Sequence, residues 1–487
     1  MRGVARGSAL LFAAVLAVAC ADRSDGPPER AAVPSARAPA STSTTAEPPT
    51  ATTAATTAPP DTAPAAVTTD TCPEPPPRPA PDPERPTYEV TMTADPDTGV
   101  VEGGQLVRFV PDLPVDRLVM RLWANGPRPA SVGTAIELGA VELDGRPAPV
   151  TRPDPTTAVV ELGRWAAPGE AIALRVPWRL TVGGPVNDRI SRQAGSLRLG
   201  SFLPLLAWEP GVGWSVDPPT SGFAESTSSP TARWSLAVDA PDGFDVVATG
   251  TEVEAGRWEV DAARDVAVSV GRFTVTTATA MAPGPVEVVV AVHDGIDDGA
   301  AYAGRIVAAL ESFAAWYGTY PWPAYRLSIT PELSGGIEFP MHVLQGPGTV
   351  GRTTPHEVAH MWFYGLVGNV QGRDPWLDEG LATWAEGRIE GTLPDMSARA
   401  IPGDGRGRAD RPMSYWEARA ASYYRSVYVQ PAAALHRLDA QLVDCALAHY
   451  VATNAWSIAT PADLWRSLDA TFADWRPALR PAGLAPG

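Results

Sequence analysis

The sequence contains no lysine, so its 38 basic residues are all arginine, set against 55 acidic residues for a net charge of −17 at pH 7. We attribute the missing lysine to nucleotide composition rather than to function. The acidic balance excludes nucleic acid as a partner and favours solubility outside the cell. Histidine is scarce as well, with six in 487 residues, and there are three cysteines. The leading apolar run, Ala9–Ala19, is too short to span a membrane. With Arg2 and Arg6 before it, residues 1–20 read as a secretory signal.

What is present begins at the end of that signal. The run closes in small residues at Cys20, as in a bacterial lipobox, where the cysteine is lipidated and becomes the mature N-terminus. Ala17 stands where leucine is usual, and a plain signal peptide with an incidental Cys20 is the alternative. Residues 21–85 are dominated by Pro, Thr, Ala and Ser, which cannot bury enough apolar surface to offset ordering entropy. They read as a disordered tether that holds a folded body away from a membrane. If Cys20 carries lipid, Cys72 and Cys445 remain in an oxidising compartment as candidates for a bridge. The resulting expectation is a cell-envelope protein that meets the membrane through its N-terminal lipid alone.

With 45% hydrophobic composition the remainder can bury real cores. The fold class expected is α+β and multidomain. Residues 86–285 show period-two alternation broken by Asp, Gly and Pro, as in "YEVTMTADPDTGVV" and "WSLAVDAPDGFDVVATG", which predicts an antiparallel β domain. The loop "SFLPLLAWEPGVGW" reads as turns and core rather than substrate contact. Residues 286–487 are mainly helical with a small sheet. Tyr302, Ile306, Leu310, Phe313 and Tyr317 fall at helical spacing, "AYRLSIT" reads as a strand, and "SGGIEFPMHV" as a glycine-loosened edge strand.

Within this second region, "TTPHEVAHMWFYGLVGNVQGRDPWLDEGLATWAE" carries His356 and His360 at i and i+4, on one face of a helix from Thr353. Glu379 follows nineteen residues after His360; Asp374 and Pro375 can open a second helix that presents it. Gly365, Gly368 and Gly372 let the chain turn back between the two. Two imidazoles and a carboxylate with one open position form the usual catalytic zinc set, so one Zn2+ is expected. Glu357 sits about 100° round the helix from His356, beside the open position, where a general base belongs. The competing reading is a capping box of Thr354 and Glu357, with Glu357 reaching back to a backbone N–H.

These residues resemble the M1 aminopeptidases, gluzincins whose pattern is His-Glu-x-x-His, eighteen residues, then Glu. The similarity is best from Asp294 to about Leu442 and implies a thermolysin-like zinc-peptidase domain acting on peptide substrates. It assigns His356, His360 and Glu379 to the metal and Glu357 to base catalysis. The family's Gly-x-Met-Glu-Asn strand corresponds to Gly335, Gly336, Ile337, Glu338 and Phe339, so Glu338 would grip the substrate α-amine while the strand pairs with its backbone. Glu338 as an exposed edge charge is the plainer alternative. Phe339 replaces the asparagine, which leaves aminopeptidase specificity less secure than hydrolysis. The family's oxyanion-stabilising tyrosine aligns with Tyr428, with Tyr423 and Tyr424 as nearby competitors and Gln430 and Pro431 in place of its Lys-Gly. The short stretch after Tyr428 leaves no room for the family's large helical C-terminal domain. Removal of N-terminal residues from extracellular peptides is the reading adopted; an endopeptidase or other amide hydrolase, and a non-catalytic envelope binding protein, stay open.

Overall fold

The computed structural model describes residues 69–193, 195–221 and 229–486. The signal, Cys20 and residues 21–68 of the expected tether lie outside the described residues. Alternation places the faces of β1 (Thr87–Asp95), which buries Tyr88, Val90, Met92 and Ala94 and exposes Glu89, Thr91 and Thr93. β2 (Val100–Phe109) and β3 (Ile172–Thr181) extend the sheet antiparallel. β4 (Ala232–Asp239) flanks β1 in parallel, from Thr87 opposite Arg233 to Thr93 opposite Asp239. The domain expected to be antiparallel therefore contains a parallel pair, because alternation reports which face is buried and not the direction of the neighbour. Tyr88 stacks on Trp234 with ring centroids 3.8 Å apart, closing the core beneath β1 and β4. Of the segment Ser201–Trp214, Ser201–Glu209 is core, with Phe202, Leu203, Leu205, Leu206 and Trp208 buried, and Pro210–Val212 is an exposed turn.

β5 (Ala267–Gly271) lies wholly buried in a separate four-stranded sheet, facing the second region. β6 (Phe273–Met281) pairs along its whole length with β7 (Pro285–His293). The second sheet thus begins at 273, before the expected boundary at 285/286, since a hairpin of alternating strands carries no change of texture to mark it. α1 (Gly299–Tyr317) crosses over to β8 (Ala324–Ile329), parallel to β7. The Asp298 side chain caps α1 by accepting from the Ala300 N–H, and the predicted stripe Tyr302, Ile306, Leu310, Phe313, Tyr317 is buried. β9 (Gly336–Ile337) and β10 (His342–Gln345) complete the sheet, and β9 is its edge.

His342 joins the two regions. Its Nδ1–H donates to Ala267 O (3.1 Å) on β5, and its Nε2 accepts from the Ser328 hydroxyl (2.8 Å) on β8, so the ring is neutral and fully buried. Burial pushes its pKa down to about 3. The unfolded ring protonates near pH 6.5, so between pH 6.5 and 3 the unfolded chain binds the extra proton and stability falls on acidification. The slope expected from this group is about 1.4 kcal/mol per pH unit. Urea unfolding of wild type and His342→Asn at pH 7.5 and pH 5.5 checks this; equal pH dependence in the two proteins contradicts it.

The end of the expected tether is not free. Cys72 and Cys445 form a disulfide, Cα–Cα 5.8 Å, on α5 (Ala440–Asn454), which follows α4 (Gln430–Leu435) after a break capped by Asp439. The Thr71 N–H donates to Thr471 O (2.8 Å), His449 Nε2–H to Pro73 O (2.7 Å) and Arg78 Nη1–H to Thr319 O (2.8 Å). A proline-rich segment without a core of its own is held here by hydrogen bonds and one covalent staple. Among the described residues no helix is long and apolar enough to cross a membrane.

Candidate metal centre

α2 (Thr353–Ala359) ends one residue before His360, whose dihedrals remain right-handed helical. Its position is set by aromatics that follow it. Trp362 packs edge-on to Phe313 of α1 (6.0 Å) and donates its indole N–H to Gly318 O (2.8 Å), while Phe363 meets Tyr317 (5.1 Å). The return to α3 (Trp376–Glu390) differs from expectation. Tyr364 takes φ 146, and Gly368 is needed for space, since a Cβ there would lie 2.1 Å from the Arg264 guanidinium. That buried arginine donates to Tyr364 O (2.5 Å) and Ser457 O (3.1 Å), tying the loop to the β region. Pro375, not Asp374, is the N-cap of α3, and Glu379 lies in its first turn.

The two helices bring three donors together. His356 Nε2 is 3.1 Å from His360 Nε2 and 3.1 Å from Glu379 Oε2, and His360 Nε2 is 3.4 Å from the same oxygen. Each outer nitrogen faces an oxygen. His360 Nδ1–H donates to Phe363 O (3.0 Å), and His356 Nδ1 lies 3.3 Å from Glu386 Oε2, close enough to pair as ions though not aligned as a hydrogen bond. Glu386 in turn accepts from Arg352 (2.5 Å). Both Nε2 lone pairs are thereby directed inward, the arrangement that metal-ligating histidines use.

Glu338, Glu357, Asp378 and Glu379 are all buried around this point. Burial pushes Glu357 up to about 8 and raises Glu338 and Asp378, while the imidazole bonds overcome burial at Glu379 and bring it down to about 2. His356 is raised to about 9 because the carboxylates of Glu379 and Glu386 outweigh its burial. With no metal, protons on the two imidazoles and on the raised carboxyls offset the negative charge of Glu379 and Glu386. A divalent cation bound by neutral imidazoles and Glu379 would balance it directly, and the donor set is a zinc set.

The capping box is not formed. The Thr354 hydroxyl donates to Thr349 O and accepts from Gln345, and Glu357 Oε2 has no hydrogen-bond partner among the described residues. Instead the Glu357 carboxyl lies over Gly336, where a Cβ would come within 2.4 Å of it. Gly335 takes φ 95, which favours glycine. Glu338 is buried, not an exposed edge charge; Gln371 Nε2–H donates to its Oε1 (3.2 Å). Phe339 turns away into a small apolar cluster with Ala267, Leu333 and Leu344, resting on Gly200.

Tyr428 sits on a π-helical turn, Tyr424–Val429, a feature frequent at functional sites. Its hydroxyl donates to Glu379 Oε1 (2.6 Å) and its ring stacks on His356. Pro431 packs on Gly380, fixing this turn against α3. Of the competitors, the Tyr424 hydroxyl accepts from Arg352 (2.5 Å) and Tyr423 packs edge-on to Tyr428. Sequence reasoning missed Glu386, Gln371 and Asp378. Glu386 was open to detection, two helical turns after Glu379 on the same face.

No protein-family profile matches the chain. An M1 zinc metallopeptidase from Deinococcus radiodurans superposes with a TM-score of 0.63 at 20% identity, over 82% of this chain and 93% of that one. The chain has the M1 zinc metallopeptidase fold. A mutant of the Deinococcus M1 protein bound to a Tyr-Ser-Ala substrate matches with a TM-score of 0.62 at 19% identity, over 83% and 95% of the two chains. Among curated sequences, mouse (Mus musculus) aminopeptidase B is 32% identical over 100 residues, 19% of this chain and 15% of its own length. Leukotriene A-4 hydrolase of Xenopus laevis is 36% identical over 84 residues, 16% and 14% of the two. The chain therefore spans only about 15% of these M1-type relatives.

Proposed function

We propose that the protein is a zinc-dependent metallopeptidase that removes N-terminal residues from peptides. The observation that carries this is the convergence of His356, His360 and Glu379 with Glu357 and Glu338 buried beside them. Zinc, when bound, polarises a carbonyl and lowers the pKa of water to about 7. Glu357, with one carboxylate oxygen unengaged, takes the proton from the attacking water and returns it to the leaving amine. Tyr428 turns its O–H from Glu379 to the carbonyl oxygen as negative charge grows there. The edge strand at Gly335 and Gly336 pairs with substrate backbone, and Glu338 holds the α-amine.

Tyr428→Phe should lower kcat about 100-fold with little change in KM, read by steady-state kinetics; an unchanged kcat moves the role elsewhere. The function itself is tested by digesting matched peptides with free and acetylated N-termini, with and without chelator. Chelator-sensitive cleavage of the free-amine peptide, one residue at a time, is expected. Cleavage within the acetylated peptide at an equal rate would favour an endopeptidase.

Export to the cell envelope, with a lipid on Cys20, belongs to the same proposal. The Cys72–Cys445 disulfide supports an oxidising compartment. Mass spectrometry of the mature N-terminus tests the anchor, and an unmodified residue after position 20 rules it out.

A further inference from the structure

Gln371 lies in the loop between α2 and α3 and is wholly buried. Its Nε2 donates both to Glu338 Oε1 (3.2 Å) and to Asp378 Oδ2 (2.9 Å). Both acceptors are side-chain carboxyl oxygens, and the amide presents its NH2 to them. Asp378 is fixed in turn, its Oδ1 accepting the backbone N–H of Glu379 (2.8 Å). A continuous chain of hydrogen bonds therefore joins the first turn of α3, where Glu379 sits, to Glu338 beyond the edge strand. Residue 339 cannot supply a polar contact here, because Phe339 is buried against Gly200 on the far side.

We propose that Gln371 is a positioning residue that sets the preference for substrates with a free α-amine, by holding one oxygen of Glu338 so that the other meets the ammonium group. The inference rests on Glu338 as the amine anchor. A carboxylate that swings freely loses directional hydrogen bonding to a cation and pays side-chain entropy on binding it. Gln371 removes both penalties. Selectivity should then depend on a residue that never touches the substrate.

The test compares kcat/KM on a free-amine peptide and its N-acetyl counterpart for wild type, Gln371→Met, Gln371→Asn and Glu338→Gln, with zinc content and thermal unfolding measured on each. Gln371→Met keeps the volume and loses the donor. Gln371→Asn keeps the amide but falls short of Glu338, and it carries the test if the methionine variant does not fold. In either variant the KM for the free-amine peptide should rise about tenfold. The ratio of free to acetylated activity should fall by a similar factor, with zinc content as in wild type. Loss of selectivity in Glu338→Gln alongside full selectivity in the folded Gln371 variants overturns this inference alone. Retained selectivity in Glu338→Gln overturns the amine-anchor reading and this inference with it.

Discussion

Glu357→Gln should lower kcat by about 10³ or more while zinc content and fold are retained. Glutamine matches glutamate in shape, so the close packing over Gly336 survives, yet an amide cannot accept the proton of the attacking water. Burial already pushes Glu357 up to about 8, so a neutral side chain suits the unliganded cluster at pH 7. The variant should therefore unfold no more easily than wild type. Steady-state kinetics, zinc content and a melting curve on one preparation separate these claims. Activity within tenfold of wild type would remove Glu357 from proton transfer.

Replacing both Cys72 and Cys445 by serine should destabilise the protein by about 6 kcal/mol at most, the chain-entropy limit for so long a loop. The bond closes a sequence separation of 373 residues, which is why the expected loss is large. The remaining ties of residues 69–78, at Asp70, Thr71, Pro73 and Arg78, are single hydrogen bonds worth about 1 kcal/mol each, and only at Arg85 does an ion pair to Asp261 follow. Once the staple is gone they should not hold the segment against its ordering entropy. Urea unfolding gives the loss, and limited proteolysis should nick the variant within residues 69–85. In wild type the non-reduced protein should be two mass units lighter than the reduced one, as a single bridge requires. Two titratable thiols in the native protein would contradict the account.

The convergence of His356, His360 and Glu379 was legible because its geometry is local. His356 and His360 share a helix face, and Glu379 belongs to the first turn of the next helix. The stripe of α1 and the faces of β1 were legible for the same reason, since periodicity records burial. What escaped depends on residues far apart in the chain. Arg264 reaches from the β region to hold the loop between α2 and α3, a buried cation that alternation does not mark. Phe339 looked like a change in the substrate cleft, but it packs on Gly200, more than a hundred residues earlier. Gln371 gave no signal, since one amide in a loop gains meaning only when two carboxylates close on it.

The most direct test is zinc content measured by mass spectrometry on purified, folded protein. Wild type and Glu357→Gln should each carry one zinc per chain, and His360→Ala, still folded by circular dichroism, should carry essentially none. A folded His360→Ala variant that keeps its full complement of zinc would show that the metal lies elsewhere.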